Sequence, residues 1–180
     1  MTKNEIKHAV EHWLDDIVIG LGFCPFAKQP RVTDRIDIYL SDAESIEALL
    51  LELLEQVAAL ENTSPHEKET TLFVIPRLLS DFEEYLDVLS LAEQIMAQQG
   101  WEGIFQLASF HPDYQFENTD PADIENYTNR SPFPIFHILR EDSISAAVDS
   151  GNTEDIPHRN RALLLSLSEE ERRSIFGTKY

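Results

Sequence analysis

The first residues of the chain place apolar side chains on one face of a helix. Between residues 2 and 21 the apolar positions follow the spacing of three and four residues that an amphipathic α-helix requires. Thr2 and Glu5 have the spacing of a capping box, in which each side chain bonds the backbone of the other residue. The pattern predicts an amino-terminal amphipathic helix whose apolar face is formed by Ile6, Val10, Trp13, Leu14, Ile17, Val18 and Leu21.

Strand and helix patterns alternate through the middle of the chain. Short alternating or wholly apolar runs predict strands, and longer segments with helical spacing separate them. Ser41 with Glu44, and Ser80 with Glu83, repeat the capping-box spacing and are predicted to start the two helices. The predicted strands of this part are residues 35–40, 71–75 and 104–110.

The chain after His111 is less regular. Asp120 and Pro121 are able to start a short helix that ends near Tyr127. A last strand is predicted at residues 135–139, and helical patterns follow at 142–149 and 156–167, before a charged turn with the sequence SEEERR. We therefore expect one domain over residues 1–180, of which 168–180 form a charged tail.

The order of the elements predicts an α/β fold. We expect a mixed or mainly parallel sheet of about four strands, flanked by helices, with at least three strands parallel through right-handed crossovers. The direction of the last strand stays open. The connection of about two dozen residues before it is long enough for a crossover, which slightly favours a parallel strand.

Composition limits the binding partners and the cellular compartment that we expect for this protein. The 33 acidic and 14 basic residues give a formal net charge of −19, which disfavours binding to nucleic acid or to an anionic membrane surface. Cys24 is the only cysteine, which is typical of a reducing compartment. No segment has the pattern of a signal peptide or a membrane span, so we expect a cytoplasmic protein.

The best candidate site lies at the carboxyl edge of the predicted sheet, where ligands of parallel sheets bind. Arg77 follows one strand and His111 follows the next. If the last strand is antiparallel, Asn129 and Arg130 join them, together with Ser131. If it is parallel, Arg140 and Glu141 do so instead.

Arginines at this edge of an acidic protein predict a small anionic ligand, because a guanidinium group forms paired hydrogen bonds with carboxylate or phosphate. Arg159 and Asn160 are further candidates, since they stand in the predicted first turn of a late helix, where free backbone amides favour anions. The alternative for each arginine is an ordinary surface ion pair.

Cys24 has two interpretations. It is either a small buried apolar residue, or a nucleophile whose thiol pKa is lowered by Lys28 and Arg31 and whose base is His111. His111 suits a general acid or base, and it suits equally a residue that caps neighbouring carbonyl groups.

A metal site is a further alternative. His111 with His137, Cys24 or Glu141 has donor atoms that suit zinc or iron, although no pair has a signature spacing. His137 lies on the apolar face of its strand, which is more typical of a hydrogen-bonded core histidine.

Several segments together resemble one family. GFCPFA, FVIP, SFHPDYQF, NYTNRSPFPIFHILRE and IPHRN are similar to the family called domain of unknown function 1415 (DUF1415), over nearly the whole chain. The resemblance implies a stand-alone bacterial domain with these segments as landmarks, and it implies no cofactor, substrate or catalytic residue.

Three functions follow from these features. The first is an enzyme that binds a small anionic metabolite at the carboxyl edge, with His111 as general acid or base and Cys24 as nucleophile. The second is a non-catalytic binding or assembly protein in which Cys24 is structural. The third is a metal-dependent enzyme. The pattern indicates no particular oligomeric state.

Overall fold

Four strands form one sheet at the centre of the structure, a computed structural model that describes residues 1–150 and 156–177. The strands are β1 (Ile36–Leu40), β2 (Thr70–Val74), β3 (Phe105–Phe110) and β4 (Ile135–Arg140). Their order across the sheet is β1-β2-β4-β3. The strand positions agree with the sequence prediction to within one residue at each end.

The sheet is mixed. β1 and β2 pair in parallel, with Ile38 beside Leu72. β4 is antiparallel to both of its neighbours, so that Phe73 and Ser109 lie on either side of Phe136. β1, β2 and β3 therefore point in one direction and β4 in the other. The predicted mixed α/β sheet is confirmed, but the parallel direction favoured for the last strand was wrong, because β4 folds back against β3.

Helices connect and cover the strands. The bounds are α1 (Lys3–His12), which continues directly as a π-helix (Trp13–Ile19), α2 (Lys28–Val32), α3 (Ile46–Glu61), α4 (Phe82–Gln98), a 3₁₀-helix (Ile124–Thr128), α5 (Glu141–Ser150), α6 (Ile156–Ser166) and α7 (Glu169–Phe176). The segment predicted as a charged turn is thus the helix α7, which Ser168 begins with a capping box.

The sequence predicted the N-caps of α1, α3 and α4, and one of these three predictions is correct. Thr2 caps α1 with the predicted capping box. α3 is capped by Ser45 rather than Ser41, and α4 by Asp81 rather than Ser80. In both corrections the true cap directly precedes the first helical residue, where its side chain reaches the free amides of the first turn.

One face of the sheet is covered by α3 and α4. Their apolar side chains pack on Phe73, Phe136 and Ile138 of the central strands. The buried helix residues in this layer are Leu49, Leu53, Val57, Leu60, Tyr85, Val88, Ala92 and Met96.

The other face is covered by α1 and the π-helix. Leu72, Val74 and Ile135 supply the sheet side of this second apolar cluster. The predicted amphipathic face supplies the helix side through Ile6, Val10, Trp13, Leu14 and Val18. Helices on both faces of the sheet bury both sides of β2, which explains its wholly apolar pattern.

The π-helix is a departure from the predicted regular helix. Its wider turn brings the amide of Gly20 to 3.0 Å from the carbonyl oxygen of Asp15, five residues earlier. A Cβ atom on Gly20 would lie 2.3 Å from the carbonyl oxygen of Asp16, so a side chain does not fit at this position. The helix ends there, and the chain turns into the segment that contains Cys24.

The late helices form a third, smaller apolar cluster. Leu164 of α6 packs with Phe23 and with Tyr127 of the 3₁₀-helix. Phe176 of α7 packs against Tyr127 with the two rings tilted at 57° and their centroids 5.0 Å apart. The end of the chain is thereby joined to the loop that follows the π-helix. Within the part of the chain described, no helix is long and apolar enough to cross a membrane.

Candidate functional site

The carboxyl ends of β1, β2 and β3 lie at the same edge of the sheet as the amino end of β4. Arg77 follows β2 and His111 follows β3, so both predicted residues stand along this edge. The backbone amide of His111 donates to the carbonyl oxygen of Asn129 at 3.2 Å. The antiparallel alternative is therefore the one found, with Asn129 and Arg130 at this edge.

The side chain of His111 is buried, and both of its ring nitrogens bond to backbone groups. Nδ1 accepts from the amide of Asp113 at 3.0 Å, which places the ring hydrogen on Nε2. Nε2 then donates to the carbonyl oxygen of Leu79 at 3.0 Å. The ring centroids of Phe82 and Tyr85 are each 5.1 Å away. His111 thus joins the end of β3 to the segment that precedes α4.

Arg130 is bonded to backbone carbonyl groups of the long loop before β4. Its Nε donates to the oxygen of Tyr114 at 3.3 Å, and its terminal nitrogen donates to the oxygen of Pro121 at 2.7 Å. The guanidinium group also lies 4.2 Å from the ring centroid of Tyr127. The carbonyl oxygen of Arg130 accepts from the indole of Trp13 at 2.8 Å, which ties the loop to the π-helix.

Cys24 lies half-buried at the margin of the apolar cluster beneath α1 and the π-helix. The residues before it are bonded to α6. Arg159 donates to the carbonyl oxygen of Gly22 at 2.8 Å, and the buried Asn160 donates to that of Phe23 at 2.8 Å. The two predicted residues of α6 are therefore brought to the Cys24 segment, where they bond its backbone.

Arg31 lies in α2, which follows the Cys24 segment, and forms a bidentate ion pair with Asp15 of the π-helix. Both of its nitrogen to oxygen distances are 2.8 Å. The hydrogen bonds lower the pKa of Asp15 and raise that of Arg31. Arg31 is thus engaged with a carboxylate and stabilises α2 against the π-helix.

A cleft of about 340 Å³ opens beside the ends of β1 and β2. Its cationic side chains are Lys3 and Arg77, and Asp42 lies between them. Lys3 Nζ bonds the Asp42 carboxylate and holds the pKa of that group below its usual value. Arg77 lies 4.0 Å from Asp42 and 3.1 Å from Glu44. We call this the edge cleft; it is lined by Met1, Lys3, Ile6, Leu40, Ser41, Asp42, Pro76, Arg77 and Phe133.

The apolar part of the edge cleft is the margin of the core. Ile6 is buried, and Leu40 and Phe133 pack against the same cluster from the end of β1 and from the loop before β4. That loop is fixed in place, because the amide of Ile75 donates to the carbonyl oxygen of Pro134 at 2.9 Å. The cleft thus has exposed charges at its mouth and apolar walls inside.

The landmark segments of the sequence meet in this structure. The Cys24 segment contacts α6, and the residues after β3 contact the loop before β4. A sequence model of the family described as protein of unknown function (DUF1415) matches residues 5–174. This chain belongs to the DUF1415 family. No curated protein and no solved structure matches the chain.

In this DUF1415 protein the edge cleft includes Ser41, which the sequence predicted only as a helix cap. Its hydroxyl donates to the carboxylate of Glu52 at 2.6 Å and accepts from the amide of Ala43 at 3.2 Å. Burial, followed by the same carboxylate, raises the pKa of Tyr39. No local pattern links Ser41 with Glu52, because they meet only when α3 packs beside the end of β1.

Asn126 is a second residue that sequence reasoning did not single out. Its side chain is fully buried and accepts from the amide of Phe116 and the hydroxyl of Thr119, both at 2.9 Å. Its amide nitrogen donates to the carbonyl oxygen of Asp120 at 2.8 Å. Asn126 therefore shapes the loop between β3 and β4. Its place in the donor-rich segment NYTNRSPFP was the only signal.

His137 lies in the middle of β4 of the DUF1415 protein, away from the edge. Its Nε2 donates to the hydroxyl of Thr70 at 2.7 Å, and that hydroxyl donates to the carbonyl oxygen of Ile138 at 2.5 Å. Burial lowers the pKa of His137 to about 4. The ring is therefore neutral at pH 7, as in a hydrogen-bonded core histidine.

This low pKa predicts a loss of stability in mild acid. The unfolded chain binds a proton at His137 below about pH 6.5, whereas the folded chain binds it only near pH 4. The unfolded state is therefore favoured as the pH falls from 6.5 to 4, by on the order of 1–3 kcal/mol.

Urea unfolding at a series of pH values checks this expectation. A His137→Gln variant keeps a donor for Thr70 but does not titrate, so its free energy of unfolding should fall less between pH 6.5 and 4 than that of the unmodified protein. Parallel curves for the two proteins would show that His137 titrates normally in the fold.

Arg140 and Glu141 stand at the edge opposite the cleft, where β4 ends. The guanidinium group of Arg140 donates to the carbonyl oxygens of Leu60 and Thr63 at 2.6 and 2.7 Å. These are carbonyls at the end of α3, so Arg140 complements the negative end of that helix dipole. Burial lowers its pKa.

The residues weighed as metal ligands are spread over the fold. His111 and Glu141 are at opposite ends of the strands, which for a strand of six residues are separated by roughly 15–20 Å. Among the residues described, no group of three or more His, Cys, Asp or Glu side chains is placed to hold a metal ion.

Proposed function

We propose that this DUF1415 protein acts in the cytoplasm and binds a small anionic metabolite in the edge cleft. The observation that carries the proposal is the pair of cations, Lys3 and Arg77, at a cleft beside the carboxyl ends of two parallel strands. The single cysteine supports the compartment. The net charge of −19 repels nucleic acid, which carries many negative charges. A small anion is repelled less, because its binding depends mainly on the charges next to the site.

The two cations are available to a ligand at low cost. The side chains of Lys3 and Arg77 are 64% and 53% exposed, and both contact exposed carboxylates. Exposed ion pairs of this kind contribute little to stability, because water screens the charges and ordering the side chains costs entropy. A carboxylate or phosphate group that enters the cleft can therefore replace Asp42 as the partner of either cation. Arg77 is the stronger contact, because its guanidinium group can donate two parallel hydrogen bonds.

A more specific form of this proposal is that the protein is an enzyme, with Cys24 as nucleophile and His111 as general acid or base. One observation favours the second candidate, a non-catalytic binding protein. Both ring nitrogens of His111 are bonded to backbone groups, which supports a role in positioning the edge rather than in moving protons. His111 also follows β3, which is separated from β2 and Arg77 by β4, or roughly 10 Å.

Substitutions of Arg77 and Asp42 should change anion affinity in opposite directions. Arg77→Gln removes a charge-assisted hydrogen bond and should weaken acetate and inorganic phosphate binding about tenfold or more. Asp42→Asn removes a competing carboxylate and should strengthen binding about threefold. Dissociation constants from NMR titration of the backbone amides, at fixed ionic strength, measure both effects.

Arg161→Gln is the matched control, because Arg161 is similarly exposed and pairs with Glu125 outside the cleft. It should leave both dissociation constants within a factor of two. Equal losses in the Arg77 and Arg161 variants would mean that anions respond only to net charge, and the site would be refuted. Weaker binding in Asp42→Asn would mean that Asp42 itself contacts the ligand.

A further inference from the structure

The edge cleft is charged at its mouth and apolar inside. Lys3 and Arg77 are more than half exposed, whereas Ile6 is 8% exposed and belongs to the core cluster. Leu40 and Phe133 continue that apolar surface into the cleft. A ligand that fills the space must therefore present different chemistry at its two ends.

The charges at the mouth favour a singly charged head group. The two cationic side chains face two carboxylates, Asp42 and Glu44, so the charges of these four side chains cancel. A monoanion can displace Asp42 from one cation with little repulsion, whereas a dianion such as a phosphate monoester meets both carboxylates at close range. A carboxylate also matches the paired donors of Arg77.

We infer that the edge cleft binds a carboxylic acid with an apolar body, its carboxylate at Arg77 and Lys3 and its hydrocarbon part against Leu40, Ile6 and Phe133. This inference rests on the proposed function and names its ligand class. The cleft volume of about 340 Å³ is near the lower end of the range for small-molecule sites, which suits an acid of about four to eight carbon atoms.

The test is a series of unbranched acids titrated into the full chain: acetate, butanoate and hexanoate, with hexan-1-ol as the uncharged analogue and inorganic phosphate as the dianion-forming probe. Each added methylene that enters the apolar part should tighten binding about fourfold. Hexanol should bind at least tenfold more weakly than hexanoate, and Arg77→Gln should remove most of that difference.

Phe133→Ala and Leu40→Thr test whether the apolar walls of the edge cleft contact the hydrocarbon part of the ligand. Each should weaken hexanoate binding several-fold while acetate stays within a factor of two, and the second variant serves if the first fails to fold. If acetate and phosphate bind through Arg77 but affinity does not rise with chain length, the inference is wrong and the proposed function stands. If no anion binds in an Arg77-dependent way, both fail.

Discussion

Replacing His111 with Ala is expected to lower the free energy of unfolding by about 3–5 kcal/mol. The substitution removes a fully buried ring that packs against both Phe82 and Tyr85. It also leaves the amide of Asp113 and the carbonyl oxygen of Leu79 without their partners on the ring. Chemical denaturation monitored by circular dichroism measures the loss, and the exposed His66 provides a control through His66→Ala.

Two conservative variants separate positioning from catalysis. In His111→Asn the side-chain oxygen can accept from the Asp113 amide, and in His111→Gln the side-chain nitrogen can donate to Leu79. Each should recover part of the lost stability. If Ala, Asn and Gln at position 111 all stayed within about 1 kcal/mol of the unmodified protein, the positioning role of His111 would be refuted.

The elements of the fold could be predicted because their patterns are local. The spacing of apolar residues predicted the helices that cover the two faces of the sheet. The wholly apolar run at β2 predicted a strand that is buried on both sides. The direction of β4 could not be predicted in this way. The connection before β4 is long enough for a crossover to a parallel strand. In the structure, however, these residues form a folded loop that hydrogen bonds from Arg130 and Asn126 hold together.

The π-helix also escaped prediction for a physical reason. Its apolar residues Trp13, Leu14 and Val18 fit regular helical spacing, so the pattern alone does not distinguish the two kinds of turn. What distinguishes them is the amide of Gly20 bonding five residues back, at a position where a side chain has no room. This is a backbone contact, and only the folded chain reveals it.

The candidate site was predictable in part. Arg77 was expected at the carboxyl edge, and the structure places it beside a cleft there. Lys3 and Asp42 were not expected, because they come from the first helix and from the end of β1, which meet only through packing on the sheet. His111 shares the edge but lies beyond β4, since the strand order depends on long-range pairing.

The second large effect is expected at Asn126. In Asn126→Ala the amide of Phe116 and the carbonyl oxygen of Asp120 lose their buried partner, at a cost of about 1–3 kcal/mol for each group. We therefore expect the free energy of unfolding to fall by about 2–5 kcal/mol. Because the same loop carries Arg130 and continues to Phe133, weaker hexanoate binding should accompany the loss.

Asn126→Asp tests the end of the side chain that faces Asp120. Its oxygen atoms can still accept from the Phe116 amide, but a buried carboxylate would face the Asp120 carbonyl oxygen with no donor between them, so its stability at pH 7 should be at least as low as that of Asn126→Ala. Asn62→Ala is the control, since Asn62 is exposed and should cost less than about 1 kcal/mol. If the Asn126 and Asn62 variants lose equally little, the loop is held by other contacts. Limited proteolysis between residues 112 and 130 would then be unchanged as well, whereas a loop that depends on Asn126 should be cleaved faster in its absence.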